Sequence, residues 1–290
     1  MRPAAQSQLP LRTGGRVSPV RVRRRRTRII GSCLVVSFLA SGAFAASYVS
    51  YLPQYSVRSV DVQGSQIVPA DLIADYAESL IYNGSHAFFS RADILLYPKA
   101  LIEKDIPLEF PRIRSATVSR ASLLSNTITI SVVERKPFAL WCAGNGNCYD
   151  MDQNGFVYAQ DSVNASTSEN VTFSGGIATT SLADPIGQTF APGHTLGLIA
   201  FLQQLSQSGF TPLGAEVQSD QDFSVPLSQG FAVYASFGED AGTLVNNLQL
   251  VLSSDAIAGQ AQNLEYVDLR FGDKVYYKLK GQNESTTSTQ

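Results

Sequence analysis

Residues 21–51 read RVRRRRTRIIGSCLVVSFLASGAFAASYVSY, a block of arginines followed by an uncharged and mainly apolar run. The run from Ile29 to Tyr51 is 23 residues long. In a helix, about 20 apolar residues cross a hydrocarbon core of about 30 Å. Clustered arginines stay on the cytoplasmic side of a membrane. The sequence therefore predicts one transmembrane helix, with the basic tail 1–28 inside and the rest of the chain outside.

A secretory signal peptide is the alternative interpretation of the same run. Ala43-Phe44-Ala45 is a small-x-small cleavage site of the kind that follows a signal peptide. However, the apolar character continues to Tyr51, and Tyr48 and Tyr51 suit the aromatic belt at the outer membrane interface. We therefore expect an uncleaved signal anchor at 29–51, and the sequence leaves open whether Ala45 is a cleavage site.

The charge of the exported part argues against two classes of partner. Nine of the 22 basic residues precede Ile29, so 13 remain against all 24 acidic residues, a net charge of -11 outside the membrane. Such an acidic surface argues against nucleic acid and against anionic lipid as partners. The apolar content of 44% supports a packed core rather than disorder.

Two of the three cysteines lie where a hairpin is expected. Cys142 and Cys148 flank the turn-forming sequence AGNGN, and outside the membrane they could either form a disulfide or stay free. Cys33 lies in the apolar run and is interpreted as a packing residue. A metal site needs more ligands than two cysteines, and the histidines, His86 and His194, are remote in sequence. We therefore expect no metal and no cofactor.

Apolar periodicity predicts an α+β fold with two exported parts. The first, 55–136, has two amphipathic helices packed on a three-stranded sheet. Its predicted elements are a strand at Ser56–Gln63, helices from Pro69 to Leu80 and from Tyr97 to Lys104, and strands at Ser115–Arg120 and Thr127–Glu134. The second, 137–281, is mainly β. Its predicted elements are strands at Phe138–Trp141, Cys148–Met151, Phe156–Tyr158, Phe231–Phe237, Leu264–Leu269 and Val275–Leu279, and helices at Leu196–Gln207 and Leu244–Leu252. The polar tail 282–290 is predicted to be disordered.

Several segments in this order resemble the FtsQ/DivIB family of bacterial cell-division proteins. They are Val57–Gly64 (VRSVDVQG), Pro111–Arg120, Ile128–Trp141, Tyr149–Val157 (YDMDQNGFV), Leu264–Phe271 (LEYVDLRF) and Lys274–Lys278 (KVYYK). Within Ile128–Trp141, the stretch Val133–Trp141 (VERKPFALW) is the most recognisable. The family layout is a basic tail, one span, a POTRA domain and a β domain. The resemblance covers about residues 20–280, and 160–240 match by layout only. The Cys142–Cys148 loop and an insertion at Tyr82–Leu96 depart from the family pattern.

The resemblance implies a scaffold of the division machinery and not an enzyme. Such proteins lie in the bacterial inner membrane at the septum, as single-pass type II proteins that link early and late division proteins and support septal peptidoglycan synthesis. The implied partners are FtsB- and FtsL-like proteins, with FtsK-, FtsW- and FtsI-like proteins as further candidates. The last strand of the β domain would receive a partner strand. This places the partner-binding residues at Arg270, Phe271, Lys274, Val275, Tyr276, Tyr277 and Lys278.

The alternative function is a membrane-tethered or secreted extracytoplasmic hydrolase or binding module. A hydrolase needs a nucleophile with a nearby base, and neither histidine lies in a nucleophile-elbow or zinc-ligand spacing. Both histidines follow glycine-containing turn sequences and are interpreted as loop residues. The lysines of the proposed partner-binding strand, Lys274 and Lys278, also have a simpler interpretation: charged side chains protect the edge of a sheet from aggregation. We therefore predict no catalytic residue.

Overall fold

The structure, a computed structural model, describes residues 19–82, 88–122, 125–160, 171–177, 184–257, 259–272, 274–281 and 286–289. It is a mixed α+β protein with an apolar N-terminal helix and a sheet-rich body, as the sequence predicts at this coarse level. The helices are α1 (Pro19–Ser50), α2 (Ala70–Ile81), α3 (Lys99–Glu109), α4 (Thr195–Gln207) and α5 (Ala241–Ser253). The strands are β1 (Ser59–Gln63), β2 (Ile113–Ser119), β3 (Thr127–Glu134), β4 (Ala139–Cys142), β5 (Cys148–Met151), β6 (Val157–Gln160), β7 (Thr172–Gly175), β8 (Gly214–Val217), β9 (Asp222–Pro226), β10 (Ala232–Ser236), β11 (Leu264–Phe271), β12 (Lys274–Leu279) and β13 (Thr286–Thr289).

Helix α1 carries the predicted membrane segment. Of the described residues, those from Arg26 to Ser50 form the single helix that is long and apolar enough to cross a membrane. Its apolar side chains are exposed, and Phe38 near the middle is 80% exposed. The helix begins at Pro19, so it also contains part of the arginine block. Residues 1–18 of the predicted basic tail lie outside the described residues.

The chain divides into two compact units. The first comprises Met1–Ser59, Ile81–Tyr97 and Ala121–Thr127, and the second comprises Val60–Leu80, Pro98–Arg120 and Ile128–Gln290. The domain boundaries predicted from the sequence, at 55–136 and 137–281, stay a prediction.

A three-stranded sheet has the order β1-β3-β2, and β2 and β3 pair antiparallel. Ile128 and Ile130 lie two residues apart in β3, on the same face, and both are fully buried. This is the burial that the period of two in a strand predicts. Helix α3 packs against β2 and runs to Glu109, beyond the predicted end at Lys104. Pro107 lies inside it and cannot donate a backbone hydrogen bond. The burial of Ile106, which is 0% exposed, stabilises the last turn despite that loss.

A ten-stranded sheet has the order β13-β12-β11-β10-β9-β8-β7-β4-β5-β6. The pairs β4–β7, β7–β8 and β10–β11 are parallel. Helices α4 and α5 pack on each other, and α5 also packs on β11. Their apolar residues share one core with residues of the sheet, with Phe173 and Phe201 among the fully buried side chains.

Strands β7, β8, β9 and β13 have no counterpart among the predicted elements. Each has four or five residues, so none shows a period long enough to read from sequence. Their pairing joins segments that are far apart in the chain. In β8, a Cβ at Gly214 would lie 2.0 Å from the carbonyl oxygen of Thr172. Glycine therefore permits the close approach of β7 and β8.

Candidate functional site

The seven residues that the resemblance singles out lie in one hairpin at one side of the ten-stranded sheet. Arg270 and Phe271 end β11, and Lys274, Val275, Tyr276, Tyr277 and Lys278 belong to β12. Strands β11 and β12 pair antiparallel, with Tyr276 opposite Asp268 and Lys278 opposite Tyr266. The structure thus brings the sequence-predicted residues together.

The two faces of β12 have different environments. Val275 and Tyr277 are 1% and 6% exposed and belong to the core. Tyr276 and Lys278 lie on the opposite face and are half-buried. Because of this division, Val275 and Tyr277 can reach a partner only through their main-chain groups. Tyr276 and Lys278 can also offer side chains.

The outer edge of β12 is paired with β13. The register is antiparallel, with Lys274 opposite Thr289 and Tyr277 opposite Thr286. The sequence predicts a disordered tail at 282–290, and in the structure Thr286–Thr289 of this tail form β13, while 282–285 and 290 lie outside the described residues. Threonine is β-branched and suits a strand, and the edge of β12 offers unpaired N–H and C=O groups that a strand can satisfy.

Arg270 is the centre of a charged cluster on the outer face of the sheet. It donates bidentately to Asp268, at 2.9 Å to Oδ1 and 2.6 Å to Oδ2, and its Nη1 lies 3.3 Å from Oδ2 of Asp222. The hydrogen bonds to Asp268 raise the pKa of the Arg270 guanidinium above its ordinary value. Asp268 is 6% exposed, so the pair holds a buried carboxylate in place. The cluster fixes the guanidinium beside β12.

Aromatic rings surround Arg270 on the same face. Its guanidinium carbon lies 5.3 Å from the ring centre of Tyr234 and 5.7 Å from that of Phe271. Tyr234 and Tyr266 form an edge-on pair at 5.3 Å, and Phe271 and Tyr276 form another at 5.0 Å. Tyrosine and arginine are enriched among the residues that dominate protein–protein affinity. We call these five residues the aromatic face.

The sequence did not single out Tyr234, Tyr266, Asp268 or Asp222 as site residues. Tyr234 reaches the site through the parallel pairing of β10 with β11, which places it opposite Asp268. Within β11, the alternation of Tyr266, Asp268 and Arg270 was a readable signal, since residues two apart share a face.

The lysines of β12 differ in their surroundings. Lys278 Nζ lies 3.0 Å from the carboxylate of Glu265, so its charge is paired within the chain. Lys274 is exposed at the start of the strand. Of the lysines in β12, Lys274 is thus the better placed to offer charge to an acidic partner segment.

A second cluster of charged and aromatic side chains includes Arg135 and Asp152, which lie in two of the segments that resemble the family. Arg135 Nη1 lies 2.5 Å from Oδ2 of Asp152, and its guanidinium carbon lies 3.8 Å from the ring centre of Phe156. Arg112 pairs with Asp150 at 3.3 Å and lies 5.1 Å from the ring centre of Tyr158.

These contacts join the start of β2 and the end of β3 to the β5–β6 hairpin. The hairpin turn is held by Asp152 Oδ1, which accepts from the N–H groups of Asn154 and Phe156. Burial raises the pKa of the Tyr158 hydroxyl. We call Arg112, Arg135, Asp150 and Asp152 the structural joint, because their charges pair with each other within the chain.

His194 is the histidine that the structure describes, and its surroundings bear on the hydrolase alternative. His194 stacks on Phe237 at 4.5 Å and lines a cavity of about 130 Å³ together with Ser219 and Asp220. The hydroxyl oxygen of Ser219 accepts from the N–H groups of Gln221 and Asp222, as in a turn. No hydrogen bond among the described residues joins His194 to Ser219 or Asp220, and His86 lies outside them.

In the described part of the chain, no three His, Cys, Asp or Glu residues cluster as metal ligands would. A cleft of about 950 Å³ lies beside the Cys142–Cys148 hairpin and is lined partly by Trp141, Tyr149 and Phe173. Its walls combine aromatic side chains with the carboxylates of Asp184 and Glu216.

No family model matches the chain, and no curated protein matches it.

Proposed function

We propose that the chain is a single-pass membrane scaffold of the bacterial divisome, of the FtsQ/DivIB kind. In this proposal α1 anchors it in the inner membrane as a type II protein at the division septum. The sheet β1-β3-β2 with α2 and α3 is its POTRA-like domain, and the ten-stranded sheet is its β domain. It would link early and late division proteins and support septal peptidoglycan synthesis without being an enzyme.

The observation that carries the proposal is the edge of β12 beside the aromatic face. An extended partner segment can add to a sheet edge by main-chain hydrogen bonds, which give affinity, while side chains in alternate positions give specificity. Strand β12 would offer its edge once β13 is displaced, and Tyr276 with Arg270 and Phe271 offers the adjoining side chains. The proposed occupants are strands of FtsB-like and FtsL-like proteins.

The pairing of β13 with β12 adds a competition to this mechanism. A partner strand that adds to β12 must replace β13, because β13 already takes the outer edge from Lys274 to Tyr277. The chain's own strand is tethered nearby and therefore has a high effective concentration. Removing it should strengthen partner binding, and leaving it in place keeps the free edge from pairing with unrelated chains.

Variants of two tyrosines in the same sheet test the proposal. Tyr276→Ala should lower the affinity for FtsB-like and FtsL-like proteins by at least about 2 kcal/mol, or roughly 30-fold, if Tyr276 is an interface anchor. Tyr149→Ala is the matched control. Tyr149 is also half-buried in the ten-stranded sheet, with one aromatic neighbour, Trp141, at 6.0 Å. The control should capture both partners normally.

A truncated chain that ends at Gly281 completes the experiment. It lacks β13 but keeps Lys280, which bonds Asn263 and Gln262 through its N–H and Nζ. Capture of the partners should increase in this chain. Circular dichroism checks that each variant is folded. A folded Tyr276→Ala protein that captures both partners as well as the Tyr149→Ala control would refute the proposed docking edge.

A further inference from the structure

The segment 88–97 is fastened to the end of helix α1. Ser47 donates its hydroxyl to the carbonyl oxygen of Phe88, and the hydroxyl oxygen of Ser50 accepts from the N–H of Ser90 at 3.0 Å. Ser47 and Ser50 lie nearly one turn apart and so face the same side of the helix. Ser50 is 4% exposed, which shows that the segment covers this side.

A second set of bonds holds the same segment from its other side. The N–H of Val57 donates to the carbonyl oxygen of Ala92 at 2.7 Å, and the N–H of Ile94 donates to that of Tyr55 at 2.9 Å. Asp93 is 6% exposed, and its Oδ1 accepts from the N–H of Leu95 at 2.8 Å. The segment is therefore an ordered structure that the end of α1 and residues 55–57 hold together.

This ordered segment exposes large apolar side chains. Phe88 and Phe89 are 55% and 40% exposed, and Leu95 and Leu96 are 67% and 54% exposed. The buried side chain of Ile94 holds the backbone, while Leu95 and Leu96 next to it stay outside. Several large apolar side chains on one ordered segment indicate an interaction surface rather than scattered surface residues.

The position of the segment along α1 identifies what can cover it. Ser47 and Ser50 lie nine and twelve residues beyond Phe38, the middle of the span Arg26–Ser50, or about 13 and 18 Å along the helix axis. Half of the hydrocarbon core is about 15 Å, and half of the whole bilayer is roughly 20 Å. The segment bonded to these two serines is thus level with the boundary between acyl chains and headgroups.

We propose that Phe88, Phe89, Leu95 and Leu96 insert into the outer leaflet at the boundary between acyl chains and headgroups. Segment 88–97 thereby forms a second, interfacial contact beside the transmembrane helix. Aromatic and leucine side chains are those that interfacial segments bury about 5–10 Å deep. The contact is apolar and needs no anionic lipid, which agrees with the acidic exterior of the chain. The inference rests on α1 spanning the membrane and not on partner binding at β12.

Tryptophan fluorescence in vesicles tests the insertion. The full chain is reconstituted in vesicles of brominated phosphatidylcholine, whose bromine quenches tryptophan fluorescence at short range. The bromine lies on the acyl chains, either near their headgroup end (shallow) or near their far end (deep). Trp141, the one tryptophan of the chain, is kept as a common background. Phe88→Trp should show added quenching, stronger with shallow bromine, and Phe38→Trp should show added quenching that is stronger with deep bromine. Phe271→Trp is the control, since Phe271 is 55% exposed like Phe88 and lies on β11.

The outcomes separate the inference from the anchor and from the proposed function. If Phe38→Trp is quenched while Phe88→Trp is quenched no more than Phe271→Trp, the insertion is wrong and the anchor stands. If Phe38→Trp is not quenched, α1 does not span the membrane and the insertion is wrong with it. Emission from Phe88→Trp that is blue-shifted but unquenched would show burial against protein and would likewise overturn the lipid contact. Partner capture at β12 is measured independently of all three results.

Discussion

Glu134 shows how one carboxylate can close a loop. After β1 the chain turns at Gly64, where a Cβ would lie 2.3 Å from the carbonyl oxygen of Val132. The next turn then points the N–H groups of Gln66, Ile67 and Val68 at the carboxylate of Glu134, each within 2.9 Å. Burial alone would raise the pKa of Glu134, but these three bonds outweigh it and lower the pKa below its ordinary value.

The lowered pKa of Glu134 predicts a dependence of stability on pH. Because the folded-state pKa is below the unfolded value of about 4.3, the stabilisation is fully present above that value and is lost as pH falls through the folded pKa. Glu134→Gln should lower the free energy of unfolding by about 1–2 kcal/mol at neutral pH and by less at acid pH. Urea unfolding at several pH values measures this. Glu239 is exposed, so the control Glu239→Gln should change neither the free energy of unfolding nor its dependence on pH. If Glu134→Gln lowered the free energy of unfolding as much at acid pH as at neutral pH, the explanation would be contradicted.

The two arginines of the structural joint should differ in their effect on stability. The side chains of Arg135 and Asp152 are 12% and 6% exposed, whereas those of Arg112 and Asp150 are 21% and 18% exposed. Removing one partner of a buried pair leaves an unpaired charge and costs about 3 kcal/mol or more. Arg135→Ala should therefore destabilise the protein clearly more than Arg112→Ala does, as measured by denaturant unfolding. The reverse order would show that the joint does not depend on burial.

At the scale of single elements, the Cys142–Cys148 hairpin settles a point that the sequence left open. The two residues are opposite each other at the end of the β4–β5 pair and form a disulfide. Alkylation of the purified protein without reductant should therefore leave both sulfurs unalkylated. Replacing both cysteines by serine should cost about 2 kcal/mol of stability, since the closed loop is short. Two alkylated cysteines in the mass spectrum would contradict the bridge.

Sequence patterns predicted the elements that carry a clear apolar period. Strand β3 was predicted with its observed bounds, and α4 to within one residue, because alternation and helical spacing are local properties. The short strands β7–β9 and the pairing of β10 with β11 depend on contacts between distant segments. The resemblance, and not a local pattern, placed the proposed partner-binding residues in the β11–β12 hairpin. Tyr234 joins them only through the pairing of β10 with β11, and β13 lies in a polar tail that shows no apolar period.

At the scale of the whole molecule, the membrane anchor makes a prediction about topology. If α1 is an uncleaved anchor with the C-terminus outside, protease added to spheroplasts should remove the exported part and leave a small membrane-bound fragment. A mature N-terminus at Ala46, read from the purified protein, would instead establish cleavage after Ala45.

Photo-crosslinking in growing cells tests most directly the central claim that β12 is the docking edge for a divisome partner. A photoreactive amino acid replaces Tyr276 in one strain and Tyr149 in another, both half-buried tyrosines of the same sheet. After irradiation, position 276 should yield an adduct with an FtsB-like protein, and position 149 should yield none. No adduct at 276, or the same adduct at both positions, would contradict the account.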